Sequence, residues 1–159
     1  MKPMQLNIFV YGTLKRGQRN HERFCQDLNK AQKATVRGWL YELPYGFPAL
    51  IVPEANVLAR GTANYLTDIT TQNHTQAGLQ GSPLGWDTIY GELFTFDDPE
   101  ERLLAFDDLE GFHPGERSLY ERVLVPTTLS ETKTTLPAWV YVAESPSGIY
   151  LPRGRWPAP

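Results

Sequence analysis

Two short segments hold residue types that can do chemistry. Tyr11-Gly12-Thr13-Leu14 closes the apolar run Leu6 to Val10. A glycine at that point lets the backbone turn out of strand geometry. It leaves successive N–H groups without ladder partners, a small cradle suited to a carboxylate. Thr13 adds a hydroxyl donor. An ordinary strand-to-turn junction has the same composition, so these four residues leave both readings open. The second segment is Asp107-Asp108-Leu109-Glu110-Gly111-Phe112. It puts carboxylates at the end of a helix that a glycine stops, where they face the negative pole of the helix dipole. A carboxyl placed there and also buried has a raised pKa and suits a general base near neutral pH. Asp107 and Asp108 read as a solvated acidic cap. Glu110, between Leu109 and Phe112, reads equally as cap or as buried acid.

Other chemistries find little support. The single cysteine, Cys25, excludes an internal disulfide and a multi-cysteine zinc site. Its apolar neighbours make it a small core residue rather than a nucleophile. His21, His74 and His113 have no metal-ligand spacing, and no phosphate loop, dinucleotide fingerprint, nucleophile elbow or zinc helix motif occurs. The cations Lys15, Arg16, Arg19 and Arg23, like Arg153 and Arg155 near the end, read as solvated turn faces.

The elements that must position these segments are mostly strands. Residues 6–13 are apolar and β-branched enough for a strand buried on both faces. Residues 20–31 suggest a short helix capped by Asn20, with Phe24, Leu28 and Ala31 on one face. Strands are expected at 34–43, 57–66, 88–96, 118–126 and 136–143, with a structured loop and a short strand in 44–53. Asp98 and Pro99 start a helix with Leu103, Leu104 and Phe106 as its apolar face. The polar stretch 67–87 reads as a long surface loop, and residues 148–159, with three prolines, as an irregular tail.

Composition bounds the rest. The 159 residues make one domain, 1–159, with its core at about 6–143. A net charge of −3 argues against a dedicated nucleic-acid binder. No stretch approaches bilayer-spanning length, and the first residues hold no apolar run of signal length, so the expected setting is the cytoplasm. Thirteen glycines and thirteen prolines exclude a helical bundle. The fold class is α+β, a small β-barrel with short flanking helices.

Seven pieces in order resemble the γ-glutamylcyclotransferase-like family. They are Phe9 to Leu14, Gly38-Trp39-Leu40-Tyr41, Phe47-Pro48-Ala49-Leu50, Gly91-Glu92-Leu93-Phe94, Leu103 to Gly111, Leu119-Tyr120-Glu121-Arg122 and Ala138-Trp139-Val140-Tyr141. The resemblance implies a mixed β-barrel without metal or organic cofactor and with a small-molecule γ-glutamyl substrate. It implies that the amides of Tyr11, Gly12, Thr13 and Leu14 hold the substrate's α-carboxylate. Glu110 is then the catalytic acid–base, and Tyr120 and Tyr141 line the pocket. The implied reaction is attack of the α-amine on the γ-carbonyl, releasing 5-oxoproline, with tyrosine hydroxyls or backbone amides holding the oxyanion. Two alternatives share the fold: a non-catalytic small-carboxylate binder or interaction module, and a cyclotransferase acting on a carrier- or protein-linked γ-glutamyl group.

Overall fold

A computed structural model describes residues 4–78, 85–145 and 148–158. The central element is β1, Leu6–Val10. It pairs antiparallel with β5, Asp87–Phe96, on one side and parallel with β7, Thr135–Val142, on the other. Both its edges and both its faces are covered, which is why its sequence is apolar almost without alternation. The thirteen-residue β2, Lys30–Glu42, pairs with β5 from Lys30↔Thr95 to Gly38↔Asp87. Part-way along it also pairs with β6, Glu121–Leu129, through Ala34↔Leu129 and Thr35↔Thr128. Since β6 pairs with β7, the order β2-β5-β1-β7-β6 returns to β2 and closes a five-stranded barrel. Closure leaves the barrel strands without a bare edge. Three short strands are added outside the closed ring: β3, Pro48–Ile51, and β8, Ile149–Tyr150, on β2, and β4, Ala59–Arg60, on β6.

Phe9, Val36, Leu40, Ile89, Leu93, Val123, Val125 and Val140 form one buried cluster of the barrel. Leu6, Ile8 and Val10, on the other face of β1, join Phe94, Phe96, Trp139 and the helices in a second. The helices are α1, His21–Phe24, α2, Tyr65–His74, and α3, Pro99–Glu110. Leu103 and Phe106 of α3 and Ile69 of α2 are fully buried against that second cluster.

Several expectations need correction. The helix expected over 20–31 stops at Phe24. Asp27 takes a left-handed φ of 59°, and Lys30 and Ala31 are drawn into the ladder with β5. Asn20 makes no side-chain cap; its amide reaches Thr13 instead. The strand expected at 57–66 shrinks to Ala59–Arg60. The loop expected at 67–87 begins as helix: α2 is capped by Asn64 Oδ1, which accepts from Thr67 N at 3.0 Å. The helix is held by polar contacts rather than by a broad apolar face. Gln72 accepts from Asn7 N and donates to the Gln5 carbonyl, both at 2.9 Å. Residues 79–84 of that stretch lie outside the described residues.

In α3, Leu104, expected on the apolar face, is exposed, and Asp107, expected as a solvated cap, is buried in the interior. The Asp98 carboxylate makes no cap and pairs with Arg102, whose guanidinium also donates to the carbonyls of Phe24 and Gln26. The tail is docked rather than merely irregular. Beyond β8, Leu151 N donates to Leu40 O, Trp156 is buried, and Lys15 Nζ donates to the Trp156 carbonyl. No described helix is long and apolar enough to cross a membrane.

Candidate active site

A cavity of about 420 Å³ opens where the end of β1, the end of α3 and the start of β3 meet. Tyr11, Gly12, Thr13, Leu14, Glu110, Tyr120 and Tyr141 all line it. The fold thus brings together the seven residues singled out in the sequence. Phe47, Pro48, Leu109 and Leu119 add apolar wall, and Arg19 and Asn20 border it.

The loop after β1 is held by its carbonyls. Gly12 O accepts from Lys15 N at 3.1 Å and Thr13 O from Asn20 N at 3.0 Å. Leu14 O faces His21 Nδ1 at 2.9 Å, and Asn20 Nδ2 donates to Thr13 Oγ1 at 2.9 Å. Among the described residues, the N–H groups of Gly12, Thr13 and Leu14 donate to no protein acceptor. Three successive free amides at a cavity wall are an anion cradle. Pro48 closes on its first residue: a Cβ on Gly12 would stand 2.7 Å from Pro48 Cγ. Only a glycine fits there.

The opposite wall comes from the last turn of α3. Gly111 ends the helix in left-handed geometry at φ 68°, and Phe112 N returns to Asp107 O at 2.9 Å. Helical spacing puts Leu103, Asp107 and Glu110 on one face. The residue Glu110 is half-buried, with one side open to the cavity, but its carboxyl is enclosed. Burial, and then the negative charge of Asp107, push that carboxyl up to about 7. Asp108, one residue along, is exposed.

Beneath Glu110 lies a buried charge network. Arg122 is fully buried; its Nε and Nη2 donate to the two oxygens of Asp107 at 2.9 and 3.2 Å, and its Nη1 donates to Asp68 Oδ2 at 3.0 Å. Asp68 also accepts from Thr62 N and Thr62 Oγ1. Asp107 is therefore no solvated cap: it is the anchor of α3 to β6, and α2 joins through Asp68. Arg122 further stacks near the rings of Phe112 and Trp139, at 5.4 and 5.0 Å from their centroids.

The tyrosine hydroxyls are already committed. Tyr11 Oη donates to the Tyr141 carbonyl at 2.6 Å, Tyr120 Oη to the Pro48 carbonyl at 2.7 Å, and Tyr141 Oη to Asp107 Oδ1 at 2.5 Å. Burial first, and neighbouring acidic groups second, push all three above the ordinary phenol value. These phenols stay protonated and fix the walls, so backbone amides, and not phenols, are the free donors deep in the cavity. Cys25 is buried, and burial raises its thiol to about 12. It is no nucleophile.

The γ-glutamyl cyclotransferase, AIG2-like family matches residues 8–77 and 77–158, nearly the whole chain. The chain belongs to that family. It is similar to γ-L-glutamyl-butirosin B γ-glutamyl cyclotransferase of Niallia circulans, 28% identical over 138 residues, which are 86% of this chain and 65% of that protein. It is also similar to the γ-glutamylaminecyclotransferase of Rattus norvegicus, 27% identical over 172 residues, 92% of this chain and 97% of the relative. Among solved structures, YkqA from Bacillus subtilis superimposes with a TM-score of 0.55 at 20% identity, over 96% of this chain and 40% of that one. This chain thus spans about two thirds or less of two of these three proteins.

Within the family fold, reasoning from sequence missed Arg122, Asp68 and the true place of Asp107. A signal existed for the first. Arg122 opens the apolar run Val123-Leu124-Val125, and a lone cation entering a barrel strand needs a buried anion. The spacing Leu103–Asp107–Glu110 carried the third.

Proposed function

We propose that the protein is a γ-glutamyl cyclotransferase that converts a γ-glutamyl amide into 5-oxoproline and a free amine or amino acid. One observation carries the reading. A single cavity holds three free backbone amides on one wall and, on another, a carboxyl raised to about 7. The amides of Gly12, Thr13 and Leu14 bind the α-carboxylate and fix the flexible glutamyl chain. Glu110, as carboxylate, takes a proton from the α-ammonium. The freed nitrogen attacks the γ-carbonyl carbon, a C–N bond forms, and a five-membered ring closes. The bond to the leaving nitrogen then breaks as Glu110 returns the proton to it. Glu110, a carboxylate again, takes the ring nitrogen's second proton and passes it to the freed amine, so the ring nitrogen gives up two protons and the departing nitrogen takes up two, with no change of oxidation state. One carboxyl serves both nitrogens because both flank one carbon. A pKa near neutral lets it take and give at similar cost. Fixing the chain for intramolecular attack supplies much of the acceleration.

The test is 5-oxoproline release, measured by mass spectrometry, from a panel of γ-glutamyl dipeptides, γ-glutamyl-lysine and γ-glutamyl alkylamines. Wild type is expected to release it. Glu110→Gln, which keeps the shape and loses the base, is expected to lower kcat by about a thousandfold or more. A Glu110→Gln enzyme of near wild-type rate removes Glu110 from the mechanism.

A further inference from the structure

Arg19 is the only cation lining the cavity among the described residues. Its guanidinium reaches the turn before β3: Nη1 lies 3.4 Å from where a Cβ on Gly46 would stand. It is exposed and forms no ion pair and no hydrogen bond among the described residues, whereas Arg16, three residues earlier, is paired with Glu92. A γ-glutamyl amine brings one ammonium and one carboxylate. Glu110 answers the first and the amide cradle the second, so Arg19 is left over. A γ-glutamyl amino acid brings a second carboxylate, on its leaving group.

Resting on the cyclotransferase reading above, we infer that Arg19 binds a carboxylate on the leaving group, so the favoured substrates are γ-glutamyl amino acids rather than γ-glutamyl amines. Guanidinium offers a forked donor pair to a carboxylate and needs no rearrangement of the cradle. Phe47 and Leu119, the latter 61% exposed, stand at the same cavity as apolar surface for the leaving group's side chain. The turn that Arg19 touches is the one that delivers Phe47, so carboxylate and side chain are read at one place. Sequence alone made Arg19 a solvated turn residue, because only the fold brings residues 19 and 46 together.

The experiment compares γ-glutamyl-leucine with γ-glutamyl-3-methylbutylamine, which differ by one carboxylate. Wild type is expected to favour the dipeptide in kcat/KM by about ten- to a hundredfold, the worth of one charge-assisted hydrogen-bonded pair, mostly through KM. Arg19→Ala is expected to bring the ratio to near one, and Arg19→Lys, a charge without the fork, to an intermediate value. A wild-type ratio near one overturns the inference. So does an Arg19→Ala enzyme that loses equally on both substrates, which would put Arg19 on the γ-glutamyl group's own carboxylate. Both results leave the cyclotransferase reading standing. Release of 5-oxoproline from neither compound by wild type overturns that reading, and this one with it.

Discussion

At the scale of single residues, Glu110 sets the pH behaviour. Its carboxyl is held at about 7, against an ordinary 4.5, by burial and then by Asp107. As a base toward an α-ammonium it must be ionised in the free enzyme. We therefore expect kcat/KM, corrected for titration of the substrate amine, to rise with pH and level off above about 7. A profile flat between pH 6 and 8 would sink the assignment. Folding feels the same group with the opposite sign. The native state keeps the proton to a higher pH than the unfolded chain, so it binds more protons in this window and stability falls as pH rises from about 4.5 to 7. Glu110→Gln removes that cost. Its unfolding free energy should exceed wild type by about 1–3 kcal/mol at pH 8, and match it at pH 4. Paired urea melts at the two pH values check this.

At the scale of elements, the site is a meeting of ends: the loop after β1, the last turn of α3 and the first residue of β3. Gly12 is the tightest point, with Pro48 against it. Gly12→Ala must push β3 or the cradle away. We expect about tenfold or more off kcat/KM and about 1–3 kcal/mol of stability. Steady-state kinetics with a thermal melt measure both, and an unchanged kcat/KM would mean that the cradle tolerates the shift. The same scale explains what was legible. The strands were readable because barrel strands bury apolar residues whose pattern is local, and α3 was readable from Pro99 and Gly111. The ten-residue α2 was not. Its sequence is threonine-rich and polar, and its fit depends on Gln72 and Asp68 finding partners at Asn7, Gln5 and Arg122, all far off in the chain.

At the scale of the molecule, Arg122 ties α2, α3 and β6 into one body. Removing it strands Asp107 and Asp68 in the interior with one fewer cation. We expect Arg122→Ala to cost about 3–5 kcal/mol, read as a lower denaturant midpoint at unchanged slope. A loss below about 1 kcal/mol would show that water reaches the network. The docked tail belongs to this scale too. Leu151 and Trp156 close over the cluster of Val36, Leu40 and Ile89, and no local pattern in a proline-rich tail announces that.

The sequence by itself determined a strand-rich barrel, the glycine turn after its first strand, and an acidic helix end stopped by Gly111. Those follow from local backbone preference and from apolar patterning, which act between near neighbours. The tertiary structure decided which acid is which. Asp107, Asp108 and Glu110 are nearly equivalent as written, yet one is locked to Arg122, one lies exposed at the cavity's edge, and one faces the cavity with its pKa raised. Burial and ion pairs set those differences, and neither exists until the fold has brought Arg122 to Asp107 and the loop after β1 to Glu110.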